Sequence, residues 1–93
     1  MDILAQIAQK IIQEQEKIIG PIALEQAKQV EGLSVDWNKH EVRLIGDEKI
    51  VLENLVKKYQ LLFGRASVEV CKEAVGSVGD KISPNNLPDI LKA

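Results

Sequence analysis

Ninety-three residues with 45% apolar content but only three aromatic side chains, Trp37, Tyr59 and Phe63, make one small domain whose core must be built from Ile, Leu, Val and Ala. The formal net charge is −2, with seven acidic and five basic residues in 1–46 and seven of each in 47–93; neither half is basic, so generic nucleic-acid binding lacks the cationic surface that drives it through counterion release. Cys71 is the sole cysteine, which excludes an intrachain disulfide and a multi-cysteine metal site and fits a reducing, cytoplasmic setting.

Residues 3–19 place Ile3, Leu4, Ile7, Ala8, Ile11, Ile12, Ile18 and Ile19 at the spacing of one helical face, opposite Gln6, Gln9, Lys10, Gln13 and Glu14. The polar residues interrupt the apolar run too often for a signal-peptide core or for the roughly twenty apolar residues of a membrane span. Gly20-Pro21 ends this helix, because proline disfavours helix at the residue before it and suits the first turn of the next. A second helix is expected from about Pro21 to Glu31, with Ile22, Ala23, Ala27 and Val30 inward and Gly32 as its stop.

The period then changes from helical to alternating. Leu33-Ser34-Val35-Asp36-Trp37 and Val42-Arg43-Leu44 flank the turn-like Asn38-Lys39-His40-Glu41, the pattern of a small β-hairpin or of a structured loop, with Leu33, Val35 and Trp37 on one face. Helix resumes after Gly46, with Asp47 as N-cap and Ile50, Val51, Leu55, Tyr59, Leu62 and Phe63 marking its inner face. Gly64 closes it. Arg65 or Ser67 opens a fourth helix through Val68, Cys71 and Val75, which Gly76 and Gly79 should end. Residues 1–80 thus form one helical domain, and 81–93 a tail with one short helical turn around Leu87, Ile90 and Leu91, capped by Asn86.

A near-repeat organises this pattern. Lys17–Lys28 returns 44 positions later as Leu61–Lys72, matching Ile18 with Leu62, Ile19 with Phe63, Gly20 with Gly64, Leu24 with Val68, Glu25 with Glu69 and Lys28 with Lys72. Each copy reads as helix, tight corner, helix. The expected fold is therefore mainly α, with two helix-corner-helix units bridged by the hairpin or loop.

Candidate chemistry is sparse. The carboxylates and lysines at 14–17 and 25–28 have the spacing of a solvated helix face. His40 has no second histidine for a metal cluster, and as the only imidazole in a turn it reads as an exposed polar residue. Cys71 matches Ala27 of the first copy, which argues for a packed thiol; a reactive thiol is the enzyme or redox alternative. Gly76-Ser77-Val78-Gly79 lacks the lysine and hydroxyl of a phosphate-binding loop. A DNA-reading helix after Gly64 would present Glu69 and Glu73 with a single Lys72, where base and phosphate contacts need Arg, Lys, Asn or Gln.

The segment Ile18-Ile19-Gly20-Pro21-Ile22-Ala23 resembles the aliphatic-Ile-Gly-Pro-Ile-Ala corner of small helical accessory modules attached to bacterial signalling proteins, including some serine/threonine kinases and response-regulator-type or roadblock-type proteins. The resemblance covers about 25 residues per copy, and the second copy departs from it with Arg65 in place of proline. It implies an accessory regulatory or protein-interaction role in bacteria and no catalytic residues. The expected function is a non-enzymatic protein-protein interaction or signalling adaptor domain without cofactor or metal; a small DNA-associated transcriptional regulator is the alternative. Its partner-binding surface is expected on the first helix, where Ile3, Ile7 and Ile11 form a ridge beside Leu4, Ala8 and Ile12, and at Trp37; self-association or a protein partner would cover it.

Overall fold

The computed structural model describes residues 3–78 and 87–91. Helix α1 (Ile3–Ile19) and α2 (Ile22–Lys28) form the first unit; strands β1 (Leu33–Asp36) and β2 (Glu41–Leu44) form an antiparallel hairpin; α3 (Glu48–Phe63) and α4 (Arg65–Val78) form the second unit; Asp89–Leu91 makes a 3-10 turn. The chain is mainly helical, with the hairpin between the two helical units.

The two units are built alike down to their backbone hydrogen bonds. Gly20 has φ of 75° and Gly64 of 74°, values at which a Cβ is strained. The Gly20 amide donates to the Glu16 carbonyl at 2.9 Å, as Gly64 donates to Gln60 at 2.8 Å, and the amides of Ala23 and Ser67 donate back to the Gly20 and Gly64 carbonyls, both at 3.1 Å. Each long helix thus ends on one last helical bond, and the glycine carbonyl opens the next. At the first corner Pro21 is already helical, with φ of −59°, and lacks only a donor that the first turn has no use for.

The same 44-residue offset runs through the core. Ile7 and Val51, Ile11 and Leu55, Ile12 and Val56, Ala27 and Cys71, and Val30 and Ala74 are all buried. At about 1.5–3 kcal/mol for each fully buried large aliphatic side chain, this shared interior dominates the stabilisation. Leu87 and Leu91 are buried in the same cluster, so residues 87–91 of the expected tail pack as part of the domain; the expected cap Asn86 and the helix stop Gly79 lie outside the described residues.

The hairpin pairs Leu33 with Leu44 and Val35 with Val42, side chains that share the face turned to the helices. Its foot is closed by the Ile45 amide donating to the Gly32 carbonyl at 2.7 Å. Gly32 has φ of 83°, and a Cβ there would lie 2.8 Å from both the Ile45 oxygen and Val51 Cγ2; only glycine lets hairpin and α3 approach so closely. At the tip, Trp37–His40 reverse the chain, with His40 at φ of 53°. Asp47 caps α3 as expected, its Oδ1 accepting from the Lys49 and Ile50 amides at 3.1 and 3.3 Å.

Several expectations are corrected. α2 stops at Lys28 because the Gln29 and Val30 amides bond back only three residues, tightening the chain out of the α-helix before Gly32 is reached. α4 runs through Gly76, since a lone glycine weakens a helix without ending it. Ile22, Ile50, Leu62 and Phe63, expected inward, are exposed, while Leu52 and Val56 fill α3's inner face. Ile3, Ile7 and Ile11 are corrected in the opposite sense: Ile7 and Ile11 are fully buried and Ile3 is half-buried against the core, because α4, α2, β2 and α3 all pack on α1.

The contrast between Gly64 and Gly76 yields a stability test. Both have open space where a Cβ would go, so only backbone conformation separates them. Gly64→Ala should cost about 1–3 kcal/mol, since φ of 74° with ψ of −157° is essentially a glycine-only conformation. Gly76→Ala should instead stabilise by about 0.5–1 kcal/mol. Chemical denaturation of the two variants beside the parent checks the opposed signs.

Candidate interaction surface

Two side chains at equivalent positions lock the units together. Gln15 Nε2 on α1 donates to the Ser67 carbonyl at 3.1 Å, at the start of α4, and Tyr59 Oη on α3 donates to the Ala23 carbonyl at 2.7 Å, at the start of α2. Gln15 and Tyr59 are 44 residues apart, and so are Ala23 and Ser67; each unit's long helix therefore reaches the first turn of the other unit's second helix. Both donors are buried, and among the described residues no buried side-chain nitrogen or oxygen is left without a partner. This reciprocity ties the last turns of each long helix to the first turn after the other unit's corner.

Both corners carry exposed apolar side chains. Ile18 is 63% exposed and Leu61 84%, and Ile22, Leu62 and Phe63 are exposed as well. Ile18 and Leu62 are equivalent residues of the repeat, each two positions before its glycine. Large aliphatic side chains exposed at both corners of so small a domain make the corners its candidate interaction surface.

Charge distinguishes the corners. Glu14 is held by Lys10 at 3.2 Å and Lys17 at 3.3 Å, and these two ammonium groups keep its carboxyl below the usual range. Glu53 pairs with Lys57 at 2.7 Å, and Glu69 with Lys72 at 3.9 Å. Around the first corner Lys10, Lys17 and Lys28 balance Glu14, Glu16 and Glu25, whereas the second carries Lys58 and Arg65 beside the Glu69 and Lys72 pair.

Elsewhere the surface offers less. A shallow groove of about 560 Å³ between the hairpin foot and α3 is lined by Glu31, Gly32, Ile45, Asp47, Ile50, Val51 and Asn54. Trp37, expected as a partner contact or as cover for the core, is half-buried against the core and meets the His40 ring edge-on at 5.0 Å between centroids. Of the residues expected to bind a partner, Ile7 and Ile11 lie inside the protein, Ile3 lies half-buried at its edge, and the structure does not bring them together with Trp37 in one exposed patch. Periodicity hides the apolar corners as a surface, because the pairs Ile18-Ile19 and Leu62-Phe63 read as the last inward residues of their helices.

Cys71 is fully buried and accepts a long contact from Gln15 Nε2 at 3.6 Å. Burial pushes its thiol up to about 11, with the Gln15 contact opposing, which disfavours the thiolate that nucleophilic or redox chemistry needs. Tyr59 is likewise raised by burial, with the Cys71 and Glu16 charges adding to it. Compared with family models, curated proteins and solved structures, the chain has no significant match.

The buried thiol sets an alkaline limit. Between its ordinary value of 9.0 and about 11 the unfolded chain loses a proton that the folded chain keeps, so stability is fully present below pH 9 and is lost as pH rises through 11. The slope is about 1.4 kcal/mol per pH unit, and the raised Tyr59 adds to the loss from its ordinary value of 10.0 upward. Cys71→Ala, which places there the residue at the equivalent position of the first unit, should flatten the denaturation midpoint between pH 9 and 10 and leave only the Tyr59 slope above pH 10; an unchanged slope below pH 10 would place the titrating group elsewhere.

Proposed function

We propose that this domain is a non-enzymatic protein-interaction module, an adaptor that docks through the exposed apolar residues of its two glycine corners. The observation that carries the reading is the exposure of Ile18, Leu61, Leu62 and Phe63 at the two corners, in units that Gln15 and Tyr59 tie to each other. A rigid surface is suited to binding, because little side-chain or backbone freedom remains to be lost on association. The buried thiol with its raised pKa also favours this reading over chemistry at Cys71. A signalling role in the bacterial cytoplasm follows from the resemblance of the Gly20-Pro21 corner to accessory modules and stands as part of the proposal. Among the described residues no helix is long and apolar enough to cross a membrane.

The reading separates two kinds of apolar residue by experiment. Leu61→Glu and Leu62→Glu should change folding stability by no more than about 0.5 kcal/mol, whereas Ile11→Ala should cost about 2–5 kcal/mol. Hydroxyl-radical footprinting at dilute concentration should oxidise Leu61, Leu62 and Phe63 and spare Ile7 and Ile11. Protection of Leu61 and Leu62 in the monomer, or unfolding by Leu61→Glu, would make the corners part of the core and remove the surface.

A further inference from the structure

Residues 87–91 lie outside the two helix-corner-helix units, yet their side chains are seated in the second. Leu87 is 6% exposed, Leu91 3%, and Pro88 is fully buried, while Ile90 is half-buried against the core and Asp89 is exposed. The turn Asp89–Leu91 packs on α3 and α4. On the 44-residue offset, Leu87 and Pro88 fall on Arg43 and Leu44, the end of β2, which packs on α1. Each unit thus has a seat for a passing chain against its long helix, filled in two different ways. In the first unit the occupant is a strand fixed by its pairing with β1. In the second it is a segment that pairs with no strand among the described residues, and its turn closes on itself, the Leu91 amide donating to the Pro88 carbonyl at 3.0 Å. What seats it is chiefly the burial of Leu87, Pro88 and Leu91.

We propose that the seat on α3 and α4 is a segment-binding groove, occupied in cis by this chain's own Leu87–Leu91 and able to take in trans a partner segment of the same pattern: a leucine, a proline, and a second leucine three positions after the proline. The site is separate from the glycine corners and does not depend on them. The occupant in place defines the chemistry, with apolar anchors at 87, 88 and 91 and an exposed polar residue between them. Anchors of this kind give a groove its specificity, and a proline among them lowers the freedom that a segment loses on docking. Release of residues 87–91 leaves the hydrogen bonds within α3 and α4 intact, so it is a local opening that costs less than unfolding the domain. A segment covalently tethered through residues 79–86 competes at an effective concentration on the order of millimolar. The groove's affinity for a free segment is therefore reduced by the fraction of time that its own segment leaves it vacant.

Competition tests this on the full chain. A fluorescein-labelled peptide copying residues 85–93 is titrated by fluorescence anisotropy with the parent and with Leu87→Ala/Leu91→Ala, whose own segment has lost its two leucine anchors. The variant should bind the peptide at least about tenfold more tightly than the parent. A control peptide with alanine in place of both leucines should saturate neither protein. Circular dichroism checks that the variant is folded, and hydrogen exchange of the parent gives a reading that does not depend on any variant. The Leu91 amide should exchange at least about a hundredfold faster than the Leu55 amide in the middle of α3, because the segment opens without the helices. A folded variant that leaves the peptide unbound, or binds it no better than the parent does, overturns the proposal. So does a Leu91 amide that exchanges at the rate of Leu55, which would make residues 87–91 inseparable from the core. Sedimentation velocity decides the remaining occupant: a dimer of the parent that the two alanines abolish would put a second copy's segment in the groove and overturn the reading of a separate partner.

Discussion

The reciprocal pair of hydrogen bonds from Gln15 to the Ser67 carbonyl and from Tyr59 to the Ala23 carbonyl is the constraint on which the arrangement of the two units depends. Apolar burial alone would hold α1 and α3 together in many registers, since contacts between Ile, Leu and Val are nondirectional. A buried donor is different: displaced from its acceptor, it loses the bond and pays desolvation without return. Two such donors, set 44 residues apart and each reaching into the other unit, penalise any slide of one unit past the other. They also act in the first turn after each corner, as additional donors to carbonyls there, so the lock and the corners are positioned together.

The solution is asymmetric in chemistry and symmetric in effect. Tyrosine is long and rigid, with one hydroxyl at the end of a ring that fills the core; glutamine is shorter and carries two amide hydrogens. The residues around each acceptor differ accordingly. The first unit presents the small Ala23 and Ala27, leaving room for the Tyr59 ring, whereas the second presents Ser67 and Cys71 to the slimmer Gln15, whose amide touches both. The single cysteine thus sits where a residue larger than alanine is needed beside a smaller donor. Its thiol is occupied as a packing group and weak acceptor, consistent with the alkaline shift that burial imposes on it.

How much of this is legible in the sequence depends on whether the signal is local. The corners can be read because glycine before a helix start reports a backbone conformation, and the cap at Asp47 because a carboxylate before an apolar run reports orphan amides. The hairpin follows from the switch to a period of two. Inward faces of the helices are harder: a helix flanked on two sides buries a wide arc, so both ridges of α1 enter the core and its Ile7 and Ile11 are no surface at all. At the ends of α1 and α3 the same reasoning reverses, because Ile18, Leu62 and Phe63 continue the apolar period past the point where a neighbouring helix covers it. Periodicity reports which residues share a direction, and only the tertiary arrangement says how far along the helix that direction is occupied. The burial of Leu87 and Leu91 is illegible for a related reason, since nothing in so short a segment says which core it joins.

The candidate surface is more legible in the repeat than in either copy. Aligned on the two glycines, the equivalences that keep their apolar character and yet stay exposed, Ile18 with Leu62 foremost, are those the core does not explain. The charged positions are kept in part: Glu25 and Lys28 match Glu69 and Lys72, while Pro21 is replaced by Arg65 and Glu14 by Lys58. Exposed charges contribute little to folding, so these replacements leave the shared interior untouched. The departure of the second copy from the Gly-Pro pattern of the first therefore stays outside the core, whereas the exchange of glutamine for tyrosine lies inside it, where the units differ so that they interlock.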